Sequence, residues 1–232
     1  GGGGLISGIA LAVKHLKPDI HIVGVEADLM PSIAAALGTG TARMKSKSSP
    51  FVKHTIADGI AVGNPSPLTK EIVRQYVDQL VTVTENEIAH GVQLLLEVEK
   101  TLVEGAGAVG LAALIHRGQD IPGHRCALIL SGGNMDITLL AKIIDKGLVT
   151  DGRLARITVQ LPDIPGSLAR ATAAISACEA NLREVTHHRA FDDVPIGEVR
   201  VTFIVETRSR AHVREIVTAL EEHGAILVSA SE

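Results

Sequence analysis

The chain has 232 residues, 46% of them hydrophobic and 21% charged, with a formal net charge of −4 at neutral pH. This is a globular balance, long enough for one large domain or two small ones, and it excludes the basic footprint of a nucleic-acid or anionic-membrane binder. With no Trp and one Tyr it offers no base-stacking platform, and no apolar run approaches the roughly 20 residues of a membrane span.

In chain order, Gly1 to Gly4 come first and run straight into an apolar-periodic segment, GGGGLISGIALAVKHL. Consecutive backbone N–H groups without side chains, at the positive end of a helix dipole, make a cradle for a phosphate. The G-x-G-x-x-G spacing fails because residue 6 is Ile, and no Gly-Lys-Ser/Thr triplet follows, so the cradle suits one phosphate monoester rather than a dinucleotide or a nucleotide triphosphate. A linker would also begin with glycines, but the helix pattern that follows without interruption argues against one. No strand precedes the loop, so the chain reads as the C-terminal part of something longer.

Residues 20–27 (IHIVGVEA) predict a short buried strand by their β-branched content. Ala57-Asp58-Gly59-Ile60-Ala61-Val62-Gly63 reads as a strand-end turn. Helix spacing returns at 67–76, a strand at 79–84 and a strong helix at 85–100, with Thr84 as its N-cap and Glu85 and Glu87 in its first turn. Val103-Glu104-Gly105-Ala106-Gly107-Ala108-Val109-Gly110 sets one carboxylate before small residues only, which permits close backbone approach to a ligand. It leads into a helix at 107–117. Residues 126–130 predict a fully buried strand, followed at once by Ser131-Gly132-Gly133-Asn134. In open parallel sheets ligands bind beyond the carboxyl ends of strands, where a Ser flanked by glycines can present a neutral hydroxyl. A helix over 136–146 should stop at Gly147. The fold class is therefore α/β, a parallel sheet with helices on both faces. Cys126 and Cys178 lack metal-ligand spacing and are expected to be buried, reduced thiols.

All nine lysines precede residue 150, whereas residues 152–232 carry nine arginines and no lysine. With the Asp151-Gly152 turn pair, this places a domain boundary between 150 and 151. The second unit changes rhythm. A half-buried strand spans 155–161, a helix runs to about 178, strands follow at 182–189 and 199–206, a helix over 211–223 ends at Gly224, and a strand closes at 225–230. The order is βαββαβ, a ferredoxin-like sandwich. His187 and His188 lie on a strand, point to opposite faces and cannot chelate one ion.

Taken in this order, the glycine run, A-D-G, E-G-x-x-G and S-G-G-N resemble the C-terminal half of the pyridoxal-phosphate enzymes of the threonine dehydratase and serine racemase family, fold-type II, over residues 1 to about 147. The resemblance implies that Gly1, Gly2, Gly3 and Gly4 hold the cofactor phosphate. It places Ser131 opposite the pyridine nitrogen, Glu104 beside the ring and Gly59 on the ring's other face. Some members bind a divalent cation, and Glu26 resembles its first ligand; the second carboxylate expected about six residues on is Ser32 here, and such cations want several hard oxygens. The second unit, 151–232, resembles an ACT domain, which implies an effector amino acid at Asp163, Gly166 and Asn181, or oligomerisation alone.

The family's Schiff-base lysine lies in an S-x-K-x-R-G type motif upstream of the glycines. Lys45 and Lys47, in MKSKSS, are nearest in flavour but sit in a polar loop far downstream of where that motif belongs. The expectation is a cytoplasmic homo-oligomer, dimer or tetramer, whose full-length form deaminates L-threonine, and L-serine as a second substrate, to a 2-oxo acid and ammonia within isoleucine biosynthesis, under control of an amino-acid effector. No catalytic residue of the reaction lies in this chain, which alone is expected to be inactive. Serine racemisation by the same residues and a non-catalytic amino-acid-binding piece are the alternatives.

Overall fold

The computed structural model of the chain describes residues 1–38, 54–188 and 194–231. The chain forms two compact units, Gly1–Ile143 and Ile144–Glu232. The division falls inside the helix Ile137–Thr150. Lys45 and Lys47 lie outside the described residues.

In the first unit, α1 (Gly4–Leu16) leads to β1 (Val23–Ala27), α2 (Ser32–Leu37), α3 (Pro67–Tyr76), β2 (Gln79–Val83), α4 (Glu85–Glu97), α5 (Gly105–Arg117) and the first half of α6 (Ile137–Thr150). β1 and β2 pair in parallel, Val23 with Gln79 through Ala27 with Val83. Alternation along β1 sends Val25 and Ala27 toward a cluster with Val83, Ile88, Ala112 and Ala113. It turns Gly24 the other way, where a Cβ would come within 2.7 Å of the α1 side chain of Ile6. Helices therefore cover both faces of the pairing. A second cluster joins α4, α5 and α6 through Val92, Leu95, Val103, Ala108 and Ile143.

The start of α4 is built as its sequence predicts. Thr84 accepts from the Glu87 N–H, and the Glu87 side chain accepts from the Thr84 N–H at 2.8 Å, a capping box. Arg117, at the end of α5, grips the same carboxylate in a bidentate pair at 2.8 and 3.0 Å.

Three expectations are corrected. The apolar run 126–130 is not a strand, and Cys126, Ile129 and Leu130 are exposed. Among the described residues no strand pairs with it, and a strand without a neighbour has no ladder to form. Cys126 is therefore not a buried thiol; Cys178 is buried, and burial, with Glu215 and Glu222, pushes its thiol up from the ordinary value. Gly147 does not stop α6. It is buried inside the helix, a tolerated cost of about 1 kcal/mol relative to Ala. The stop is Gly152, at φ 68°, where Arg153 N–H bonds the Leu148 carbonyl and Gly152 N–H the Val149 carbonyl, a Schellman closure.

In the second unit, β3 (Leu154–Pro162), α7 (Ser167–Ala177), β4 (Asn181–His188), β5 (Glu198–Glu206), α8 (Arg210–Glu222) and β6 (Ile226–Ala230) follow in βαββαβ order. The antiparallel sheet runs β4-β5-β3-β6, the ferredoxin-like arrangement. Alternate residues of β3 and β5 (Ile157, Val159, Leu161, Val201, Phe203, Val205) meet Ile175 of α7 and Val213, Ile216 and Leu220 of α8 in the core. His212 joins the two helices from within. Its Nδ1 accepts from the Arg208 N–H at 3.1 Å, which leaves Nε2 to donate to the Cys178 carbonyl at 2.7 Å. Among the described residues no helix is long and apolar enough to cross a membrane.

Burial opposes the charge of the Glu87 carboxyl, but the Thr84 N–H and the Arg117 guanidinium outweigh it and hold the carboxyl below its ordinary value. A lowered value stabilises the fold above the ordinary carboxylate range, and that stability is lost as pH falls through the lowered one. E87Q is therefore expected to narrow the stability gap to wild type as pH drops from 7 to about 3 in urea melts, and an unchanged gap refutes the assignment. T84A is expected to cost about 1 kcal/mol.

Candidate functional site

Gly3, at φ 82°, is the N-cap of α1 and carries no side-chain cap. The first-turn N–H groups that follow have no intrahelical partner by helix geometry. The entry is held from below. Thr69 Oγ1, in the first turn of α3, donates to the Gly2 carbonyl at 2.8 Å, and Ser7 Oγ bonds the Thr69 carbonyl at 3.4 Å. The four glycines are not equivalent. A Cβ on Gly1 would stand 2.9 Å from the Ile60 carbonyl oxygen, and Gly3 is fixed by its positive φ. A Cβ on Gly4 would meet nothing within 4 Å. Packing therefore does not explain Gly4, a poor helix former at a helix start.

The other motifs converge on this entry through the backbone. Gly59 approaches Glu104 so closely that a Cβ would lie 3.2 Å from Oε1 and 3.1 Å from the Ala106 Cβ. On the other side of Glu104, Gly132 stands at φ 82°, and a Cβ there would collide with the Glu104 carboxylate. The Glu104 N–H bonds the Gly132 carbonyl at 3.3 Å. Cβ atoms on Gly105 and Gly107 would run into the carbonyls of Ile56 and Ser131. Glu104, half-buried at the N-cap of α5, makes no side-chain hydrogen bond among the described residues, and neither does Ser131 Oγ. Gly1, Gly59, Glu104, Gly107, Ser131 and Gly132 thus form one wall that brings together the α1 start, which has no side-chain cap, a carboxylate and a hydroxyl.

Glu26 is already engaged. Its Oε1 accepts from the Ile33 N–H and its Oε2 from the Ala34 N–H, both at 2.9 Å, and Oε1 lies 3.4 Å from the Gly1 nitrogen. It caps the short helix α2. No group of three or more His, Cys, Asp or Glu side chains placed to hold a metal occurs among the described residues.

The second unit has its own cavity of about 380 Å³, lined by Asp163, Ile164, Gly166, Ser167, His187 and Val199 among others. Gly166, at φ 89°, is the N-cap of α7 and has no side-chain cap, so this cavity too lies at a helix N-terminus, where the Ser167 N–H already bonds the Ile164 carbonyl at 3.3 Å. Asp163 and Gly166 come together here, but Asn181 does not line the cavity: it stands at the head of β4, where its amide donates to Glu206 at 3.0 Å. His187 was legible only as one of two histidines on opposite strand faces; the topology puts its face, not that of His188, toward the cavity.

The family model of "Pyridoxal-phosphate dependent enzyme" matches residues 1–132. The L-threonine ammonia-lyase of Thermotoga maritima is 42% identical over 225 residues, 97% of this chain and 54% of that protein. The L-threonine ammonia-lyase of Geobacter sulfurreducens is 41% identical over 98% of this chain and 55% of its own length. The chain thus spans about half the length of these curated relatives. Among solved structures, a T.th. threonine deaminase aligns with TM-score 0.51 and 35% identity, covering 59% of this chain and 48% of that one. Maize serine racemase aligns with TM-score 0.51 and 33% identity, covering 63% and 45%.

The contrast among the glycines is measurable. G132A and G107A are expected to cost more than about 2 kcal/mol each in urea melts, since each forces backbone or a carboxylate to move. G4A is expected to be neutral or to raise stability by up to about 1 kcal/mol. A large loss from G4A refutes the reading of Gly4 as a ligand-facing residue.

Proposed function

The chain belongs to the pyridoxal-phosphate dependent enzyme family, and we propose that, as the C-terminal part of a longer protein, it supplies one wall of the cofactor pocket of an L-threonine ammonia-lyase. The observation that carries this reading is the contiguity of Gly1, Gly59, Glu104 and Ser131 through close backbone contacts. The cradle fits a phosphate monoester: the α1 start is uncapped by any side chain and open at Gly4.

The amides at Gly1 to Gly4 would hold the phosphate. Gly59 and Glu104 would flank the ring, with Glu104 unpaired and free to hold a proton or orient the amine of a substrate. Ser131 would face the ring nitrogen. When bound, the cofactor supplies an electron sink for the bond broken at the substrate's α-carbon. A hydroxyl at Ser131, unlike a carboxylate, does not hold the ring nitrogen as a cation, so the sink is moderated, which suits elimination of a β-hydroxyl over transamination. The lysine that bears the cofactor and moves the α-proton belongs to the preceding half, so this chain alone is inactive. L-serine is a second substrate of the same chemistry. Racemisation of serine uses the same residues, and the 33% identity to maize serine racemase favours keeping it as the second reading; the higher identity to threonine ammonia-lyases favours dehydration.

Residues 151–232 serve as an ACT regulatory unit in a homo-oligomer, in the cytoplasm. The support is the sheet order β4-β5-β3-β6 and the cavity at the start of α7, whose Asp163 and α7 amides are set to take the amine and carboxylate of an amino-acid effector. Regulation requires that the effector prefer one of two assembly states.

The full-length protein is expected to release 2-oxobutanoate and ammonia from L-threonine, and to lose this on removal of the cofactor. After borohydride treatment the cofactor is expected on a lysine outside this chain; its recovery on a peptide of this chain refutes the assignment. G4A in the full-length protein is expected to weaken cofactor affinity about tenfold or more without lowering the melting temperature of the cofactor-free form. Calorimetry with isoleucine, valine, serine and threonine tests the second unit, and heat from none of them removes the effector reading.

A further inference from the structure

We propose that Glu85 is a positioning residue for this pocket, acting through the Ile56 amide; the proposal rests on the cofactor reading above. Glu85 opens α4, where exposed amides and the helix dipole favour a carboxylate. That turn is already capped by Thr84 and Glu87, and Glu87 also takes the Arg117 guanidinium. The helix start does not need Glu85. Its carboxylate reaches away instead: Oε2 accepts from the Ile56 N–H at 2.7 Å, across 29 residues of sequence. Oε1 is buried and has no hydrogen-bond partner among the described residues. An unpaired buried oxygen is unfavourable, so neither helix capping nor simple packing accounts for a glutamate here. The bond to Ile56 does.

Ile56 is the root of the segment that carries the A-D-G motif. Thr55 Oγ1 accepts from the Ala57 N–H at 3.1 Å, which closes the segment on itself. The Ile56 carbonyl lies against Gly105, the first residue of α5. Three residues on, Gly59 abuts Glu104, and Ile60 lies against Gly1. One hydrogen bond from Glu85 therefore sets a segment that touches the α5 start, the free carboxylate and the phosphate cradle. Glu85 itself touches none of the groups assigned to the cofactor.

The experiment uses the full-length protein with E85A and E85Q. E85Q keeps a carbonyl acceptor for the Ile56 N–H, and E85A removes it. E85A is expected to bind pyridoxal phosphate about tenfold or more weakly in a fluorescence titration, and E85Q within about threefold of wild type. E85A is also expected to shift the absorbance of the bound cofactor, to lower kcat more than it changes KM for the amino acid, and to speed hydrogen exchange at 56–60. E85D, one methylene shorter, keeps the helix start but not the reach, and is expected to behave as E85A; it carries the test if E85A does not fold. Wild-type affinity and spectrum in E85A or E85D overturn the proposal, as does equal impairment of E85Q and E85A. Wild-type protein that takes up no cofactor overturns the earlier reading and this one together, whereas a contrary result confined to the variants overturns this one alone.

Discussion

The candidate site in the first unit depends on close approaches made at glycines. Gly1 lies against Ile60, Gly59 against Glu104, Glu104 against Gly132, Gly105 against Ile56 and Gly107 against Ser131. Segments separated by up to the length of the unit become one surface because no Cβ keeps them apart. Interiors at this density transmit strain rather than absorb it. The position of the Glu104 carboxylate is therefore set by two loops at once, those of Gly59 and Gly132, although no hydrogen bond to its side chain is made among the described residues.

What the sequence made legible follows from whether a feature is local. The start of α4 was readable because Thr84, Glu85 and Glu87 carry their signals within one turn. The strand β3 was readable because Ile157, Val159 and Leu161 alternate with polar residues over one buried face. The run 126–130 has the same apolar content but no such partner, and pairing is not a property of the run itself. Gly147 illustrates the limit of a stop signal: a glycine after an apolar period either ends a helix or sits inside it, and only burial and the αL turn at Gly152 decide which.

The residue types of the candidate site were visible in the sequence. The glycine run, Glu104 and Ser131 were each visible as motifs, but their mutual approach was not, because it is made of distances between loops. Glu85 escaped for a related reason. At the head of a helix a glutamate reads as dipole complement, and nothing in its neighbours announces that it reaches to Ile56. His187 escaped because strand alternation separates two histidines without saying which face has a cavity. Asn181, the first residue of β4, bonds Glu206 rather than lining the cavity of Asp163 and Gly166, which its place in the sequence does not reveal.

The helices α1 and α4 begin in opposite ways. α4 starts with a capping box and two acidic residues in its first turn, and α1 starts with a bare glycine, no acidic residue and no side-chain cap. Among the described residues, the first turn of α1 thus has neither a side-chain cap nor an acidic residue of its own to complement its amides. An anion seated there completes secondary structure as well as occupying a site. Ligand affinity and the order of the first turn of α1 are then two readings of a single free energy: whatever frays that turn weakens binding, and saturating ligand raises the apparent stability of the unit by mass action.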